Sequence, residues 1–420
     1  MLLIACTVGV LGQLALNMDT STAAYRQARA QGGGVALVIG DSLVYREGAI
    51  WENLVEISSQ LYGSGGLGYQ GISLWTGASY NASQWTQGAI NQDTPPHWSL
   101  DGLWVSTSSP TTPSWINCTP WSRTTTLHYV TGPDQGAFTV TSGASSWQVQ
   151  AGGTQGVGAL ALQLPFPSLS ITTAGNGNVT LLGFVNGAPS QGPVLHRVAN
   201  GGWGLDETLN RNWTWDAQVS LLSPQLVLVC YGGQNDWAYS FNTAIWDQYL
   251  RQVCDRVHAA APSAGIVLVS NYASSADPSV VARWVTLSGV QRALATERAY
   301  GFVDLFRAGG VYEAWVASGF VAPDGLHFSD AGGHHAAHII HCAIDSNGAC
   351  LASAPCNSTD FNGDALSPDT ADIDDFLSVF SGGPCPTGTC AGIDFNRDGL
   401  APDTLDIDAL LSVFSGGPCL

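Results

Sequence analysis

Mostly apolar runs, each closed by glycine, proline or a short polar turn, recur at residues 35–39, 226–230, 266–269 and 302–305. Runs of this length and composition predict strands buried on both faces, the kind found in parallel sheets. Between them the apolar spacing changes to a helical one. Residues 51–62 carry Trp51, Leu54, Val55 and Ile57 on one side, and helices are also expected near 243–258 and 278–298. Strands alternating with helices predict an α/β core whose functional loops lie at the carboxyl ends of the strands. Residues 75–197 follow a different rhythm. Short alternating segments such as 127–130, 138–140, 147–149 and 179–182 are separated by Gly, Pro and Asn turns. That rhythm predicts a β-sandwich inserted into a loop of the core.

Three short segments that follow this frame carry chemistry. Gly40-Asp41-Ser42-Leu43 comes straight after the first strand, where glycine permits the sharp turn that exposes a hydroxyl. Gly233-Gln234-Asn235-Asp236 follows the 226–230 run and offers an amide donor for a developing oxyanion. Asp324-Gly325-Leu326-His327 sets a carboxylate three residues before an imidazole, so that Asp324 can fix the tautomer of His327. Together they offer a nucleophile, a base, an orienting acid and an oxyanion donor. An α/β-hydrolase elbow, G-x-S-x-G, fails because residue 44 is valine.

The three segments, in this order, resemble the SGNH (GDSL) hydrolase family, whose blocks read GDS, GxND and DxxH. The resemblance implies a flavodoxin-like parallel-sheet core and a serine esterase: Ser42 as nucleophile, His327 as base, Asp324 as its orienter. The oxyanion would be held by the Ser42 N–H, the Asn235 side chain and a glycine N–H. The glycine block 200–206 supplies that last donor as Gly204, with Gly202 as the alternative. The layout is similar to SGNH enzymes that remove O-acetyl groups from peptidoglycan or other polysaccharides and carry an inserted β domain. It therefore implies a polysaccharide ester substrate and no catalytic cofactor. A lipase or aryl esterase on small esters would use the same machinery, and an inactive glycan-binding or scaffold protein is the non-enzymatic alternative. Seven of the 15 tryptophans (Trp75, Trp85, Trp98, Trp104, Trp115, Trp121 and Trp147) lie in the insert, as core residues or as platforms for sugar rings.

The tail repeats itself. Residues 356–385 and 390–419 align at a period of 34 with 21 of 30 positions identical, each opening with cysteine and ending Ser-Gly-Gly-Pro-Cys. Oxygen-bearing side chains at alternate positions suit a hard cation. The candidates are Asp360, Asn362, Asp364 and Asp372 in the first unit, and Asp394, Asn396, Asp398 and Asp406 in the second. Each loop precedes a helical stripe, with Ile373, Phe376, Leu377 and Phe380 in one and Ile407, Leu410, Leu411 and Phe414 in the other. The pair resembles a dockerin, a small all-α, EF-hand-like module. That implies structural calcium and a cohesin-like or cell-surface docking partner. The closing carboxylate falls one position later than in an EF-hand loop, and cysteines bounding each unit point to Cys356–Cys385 and Cys390–Cys419 pairs.

Composition narrows the setting. Only 11% of the 420 residues are charged, and the 13 basic residues, all arginine, face 32 acidic ones for a net charge of −19. That balance argues against nucleic acid or anionic membranes as partners. Ten cysteines and an apolar stretch from Leu2 to Leu16 fit a secreted or cell-surface protein with a signal peptide, and Cys6 is a candidate lipidation site. Cys230 and Cys254 read as buried thiols. His334, His338 and His341 share a helix face near the end of the core. Without an H-E-x-x-H pattern they read as a polar face in preference to a zinc site. The expected organisation is an N-terminal segment (1–32), core (33–74), β insert (75–197), core (198–346), linker (347–355) and tail repeats (356–420).

Overall fold

The computed structural model describes residues 15–80, 83–88, 99–107, 110–187, 191–238, 242–272, 274–308, 311–346, 358–364, 366, 369–386, 390, 392–393, 395 and 404–414. Two compact units are present, Leu16–Ile344 and one that includes the chain from Asp345 onward.

In the larger unit the apolar runs form one six-stranded sheet. Its order is Ala15–Leu16, Gly301–Val303, Gly265–Val269, Leu226–Cys230, Val35–Gly40 and Val194–Ala199. Val35–Gly40 runs parallel to both its neighbours, and Leu226–Cys230 and Gly265–Val269 continue the parallel pairing to Gly301–Val303. Every residue of Leu226–Cys230 is buried, the outcome expected of a strand covered on both faces. Helices Ile50–Tyr62, Thr243–Ala260 and Pro278–Arg298 lie where the spacing predicts them, and Asp330–Ser346 follows the histidine segment. Trp203, Trp215, Tyr231, Trp246 and Trp284 pack with the strand residues into one core. Cys230 and Cys254 are buried free thiols, as their surroundings in the sequence predict.

Two boundaries shift. Residues 15–30 are not a linker: helix Met18–Ala30 buries Met18 and Tyr25, and Asn17 Nδ2 donates to the carbonyls of Ala295 and Tyr300 at 3.3 and 3.1 Å. The boundary at 197/198 cuts strand Val194–Ala199, which belongs to the parallel sheet, so the core resumes at Val194. That strand carries His196 and Arg197 among its apolar residues, and in the chain it directly follows the alternating runs of the insert.

The intervening chain forms two antiparallel sheets, of five and six strands, around a shared apolar cluster that includes Trp85, Ile116, Phe138, Val140, Ile171 and Phe184. Gly68–Gly71 joins the six-stranded one by pairing with Thr180–Asn186. Of the seven tryptophans there, Trp85 and Trp104 are buried, whereas Trp115 and Trp121 are exposed. Trp98 lies outside the described residues.

In the smaller unit, helices Thr370–Phe380 and Thr404–Phe414 pack through Phe376 and Leu410 against Phe361 and Phe395. Leu377 and Leu411, expected on the buried stripes, are exposed instead. Cys385 is bonded to Cys390, which replaces the expected Cys356–Cys385 and Cys390–Cys419 pairs; the two lie five positions apart in the chain and their Cα atoms are 5.7 Å apart, within ordinary disulfide reach. The N-terminal apolar stretch up to residue 14, including Cys6, lies outside the described residues.

Candidate active site

Three neighbouring strands end at one level. Gly40 is in register with Cys230 on one side and with Ala199 on the other, so the segments that follow all leave the same carboxyl edge. At residue 40 a side chain would strike Val44 Cγ2 and crowd the Cys230 carbonyl, which explains the glycine. Asp41 then caps the short helix Ser42–Tyr45, its Oδ1 accepting from the Leu43 N–H at 2.8 Å. Val44 and Tyr45 donate to the Asp41 carbonyl. Ser42 stands at the first helical position, where an N–H has no intrahelical acceptor.

His327 reaches this serine from the other side. Its Nε2 lies 2.9 Å from Ser42 Oγ, and its Nδ1 lies 2.8 Å from Asp324 Oδ2. Asp324 Oδ1 accepts the N–H groups of His327 and Leu326 at 2.9 and 3.0 Å. The His327 N–H, then its imidazole, then the Leu326 N–H hold the Asp324 carboxyl well below the usual carboxylate range. Asp324 is therefore an anion, able to fix His327 with Nδ1 protonated and Nε2 free to accept from the serine.

The loop bearing this pair is held from outside. Tyr272 donates its hydroxyl to the Leu326 carbonyl at 2.6 Å, and Tyr312 donates to the Gly325 carbonyl at 3.0 Å. Tyr272, Trp315 and Phe328 pack as an aromatic group, with ring centroids 4.8–5.6 Å apart. Arg46 completes the surroundings, its Nη1 lying 3.0 Å from Asp324 Oδ2. None of these three partners is foreshadowed in the sequence, because no spacing ties residues 46, 272 and 312 to 324–327.

On the opposite side, Asn235 donates Nδ2–H to the Trp203 carbonyl at 2.8 Å. A primary amide has two N–H groups, so the second remains for a ligand. The next residue strengthens this joint: Asp236 accepts from the Leu205 N–H at 2.9 Å and from Trp246 Nε1 at 3.2 Å. Gly204 does not fit the oxyanion role expected of it. Its N–H donates to Glu207 Oε2 at 2.6 Å, the third helical residue reaching back to the cap. Glycine is required there by packing, since a Cβ would strike Asp236 Oδ1. The alternative, Gly202, sits at φ +79° with open space around it, and its N–H has no acceptor among the described residues.

Burial shifts the surrounding acids. It pushes Asp41 up to about 7 and Glu207 up to about 8, the latter helped by neighbouring Asp206. Asp236 is raised for the same reason.

The metal candidates divide. Asp394, Asn396 and Asp398 lie outside the described residues. Asn362 Oδ1 accepts from the Asp364 N–H and Asp364 Oδ1 from the Leu366 N–H, the turns of a tight loop. The closing carboxylates accept backbone N–H groups. Asp372 Oδ1 accepts from Phe361 N–H at 2.8 Å and Oδ2 from Asp369 N–H at 3.0 Å, while Asp406 Oδ1 accepts from Phe395 N–H at 2.7 Å. Asp372 thus ties the start of its loop to the first turn of the helix that follows. Among the described residues no three His, Cys, Asp or Glu side chains converge to hold a metal. In the last core helix, His335 stacks on Phe320 and His341 on Tyr62.

Residues 154–334 match the family described as GDSL-like lipase/acylhydrolase. Over that stretch the chain is similar to the GDSL-like acylhydrolases. The match takes in Gly202, Asn235, Asp324 and His327, while Ser42 precedes it. A comparison with curated proteins finds no match. Among solved structures, a peptidoglycan O-acetylesterase superposes with a TM-score of 0.64 at 18% identity, covering 80% of this chain and 99% of that one. A family two carbohydrate esterase from Clostridium thermocellum gives a TM-score of 0.29 at 15% identity, covering 65% of this chain and 99% of that one. An acetylxylan esterase mutant from Geobacillus stearothermophilus gives 0.30 at 19%, covering 37% and 74%. The first of these shares the fold of this chain.

Proposed function

We propose that this protein is an acylhydrolase, a secreted serine esterase that removes O-acetyl groups from a polysaccharide. The observation that carries the reading is the unbroken line from Ser42 Oγ through His327 to Asp324, at 2.9 and 2.8 Å. His327 Nε2 takes the hydroxyl proton as Ser42 attacks the ester carbonyl. The Ser42 N–H, the Gly202 N–H and the free Asn235 N–H stabilise the oxyanion, each such donor contributing about 2.7–4 kcal/mol in comparable sites. His327 then passes the proton to the leaving sugar oxygen, which departs as a hydroxyl, and water cleaves the acyl-enzyme by the same steps in reverse.

The polysaccharide and the acetyl group rest on analogy of fold with the peptidoglycan O-acetylesterase, which superposes over 80% of this chain. Acetate release from acetylated xylan, pectin and peptidoglycan, compared between the parent protein and Ser42→Ala, tests the reading. One of the three should be deacetylated by the parent, with turnover lowered by at least about a thousandfold in the variant. Equal release by the two proteins would reject Ser42 as the nucleophile. Preference for long-chain over acetyl esters would reject the substrate class.

A further inference from the structure

Arg46 is the residue of this site for which the reaction chemistry has no obvious use. It closes the nucleophile helix Ser42–Tyr45, donating its own N–H to the Ser42 carbonyl at 3.1 Å. Its guanidinium crosses to Asp324 Oδ2, the same oxygen that receives His327 Nδ1. The nucleophile element and the histidine loop are thereby joined twice, once through Ser42–His327 and once through Arg46–Asp324. Both partners of the ion pair are about half exposed, 52% and 44%. An exposed pair of this kind adds little to folding stability, so its consequence is local.

We propose that Arg46 is a positioning residue of the esterase: it pins the outer oxygen of Asp324 in register with the nucleophile helix and sets a fixed cation against the carboxylate that holds His327. Two effects follow from one contact. A carboxylate oxygen held by a second donor has less freedom to swing away from Nδ1, which preserves the angle at which Nε2 meets Ser42. The cation also opposes the build-up of positive charge on the nearby ring, partly offsetting the attraction of Asp324. Among the described residues, the titratable and charged groups that bear on this loop are Asp324, Arg46, Tyr272 and Tyr312, and Arg46 is the fixed cation of the set. This inference rests on the esterase reading, which supplies the reaction that Arg46 adjusts.

The test uses Arg46→Gln and Arg46→Lys in the full chain, with a small acetyl ester as substrate. Three quantities are read: the pH profile of kcat/KM, its salt dependence, and titration of the His327 ring by NMR. Loss of the cation should move the acid limb and the ring titration upward together, by a few tenths of a pH unit to about one unit at low salt. kcat should fall several-fold with KM little changed, and Arg46→Lys should restore most of the acid limb. A uniform loss of rate at every pH with an unmoved ring titration would mean a structural role only. A rise in KM alone would mean substrate contact. Either result overturns the proposal. The NMR titration needs no turnover, so a protein inactive on every ester would reject the esterase reading while still reporting on the Arg46–His327 link.

Discussion

A hydroxyl donating 2.6 Å to the carbonyl of Leu326 does no chemistry, yet it decides where His327 sits. Tyr272 belongs to the segment that follows strand Gly265–Val269, while the loop it holds lies more than fifty residues later, so the contact ties two of the loops at the carboxyl edge. Its ring is also packed against Trp315 and Phe328, which fixes the hydroxyl without help from solvent. Tyr272→Phe keeps that packing and removes one hydrogen bond, a change of about 0.5–1.5 kcal/mol in stability. The expected result is a small drop in melting temperature with a kcat loss of roughly ten- to a hundredfold and little change in KM, because slight misplacement of a base is costly. Steady-state kinetics on a small acetyl ester check it, and unchanged kcat would show that the loop holds its place without this bond.

Strands Thr124–Thr131 and Val194–Ala199 each contribute a buried histidine, and the two rings disfavour each other's charge. Burial, mainly, pushes His128 down to about 4 and His196 down to about 3. Both are neutral in the folded protein at any pH above that range, while in the unfolded chain they gain protons below about 6.5. Stability from this pair is therefore present above pH 6.5 and lost as pH falls towards 4, by about 2 kcal/mol per ring at pH 5. Asp41 and Glu207, both raised by burial, act in the opposite sense, gaining stability as pH falls through about 7 and 8. The parent profile mixes the two, so the informative comparison is with a variant. His196→Gln should lose less stability than the parent between pH 6.5 and 4.5 in urea titrations; an identical pH dependence would show that the ring is already protonated or solvated.

For the molecule as a whole, the parallel sheet and its helices are legible because unbroken apolar runs and helical spacing are local properties of the chain. The line Ser42–His327–Asp324 is foreshadowed by motif order, since the topology brings the segments that bear these residues to one edge of the sheet. What stays hidden depends on contacts between distant segments. Gly204 is the glycine expected to donate to the oxyanion, but Glu207 reaches back to its N–H. Arg46, Tyr272 and Tyr312 leave no trace at a fixed offset from the residues they hold. That Asp372 and Asp406 reach back to the N–H groups of Phe361 and Phe395 is likewise not read from spacing. Strand Val194–Ala199 reads as part of the insert because an edge strand that follows an antiparallel region looks, in sequence, like one more of its members.

The central claim is that Ser42 is an activated nucleophile. It is tested most directly by treating the full-length protein with a fluorophosphonate and locating the adduct by peptide mass spectrometry. A single adduct on Ser42, absent from Ser42→Ala and much slowed in His327→Ala, is the predicted result. No adduct on the parent protein, or one that persists at another residue when Ser42 is replaced, would contradict the account.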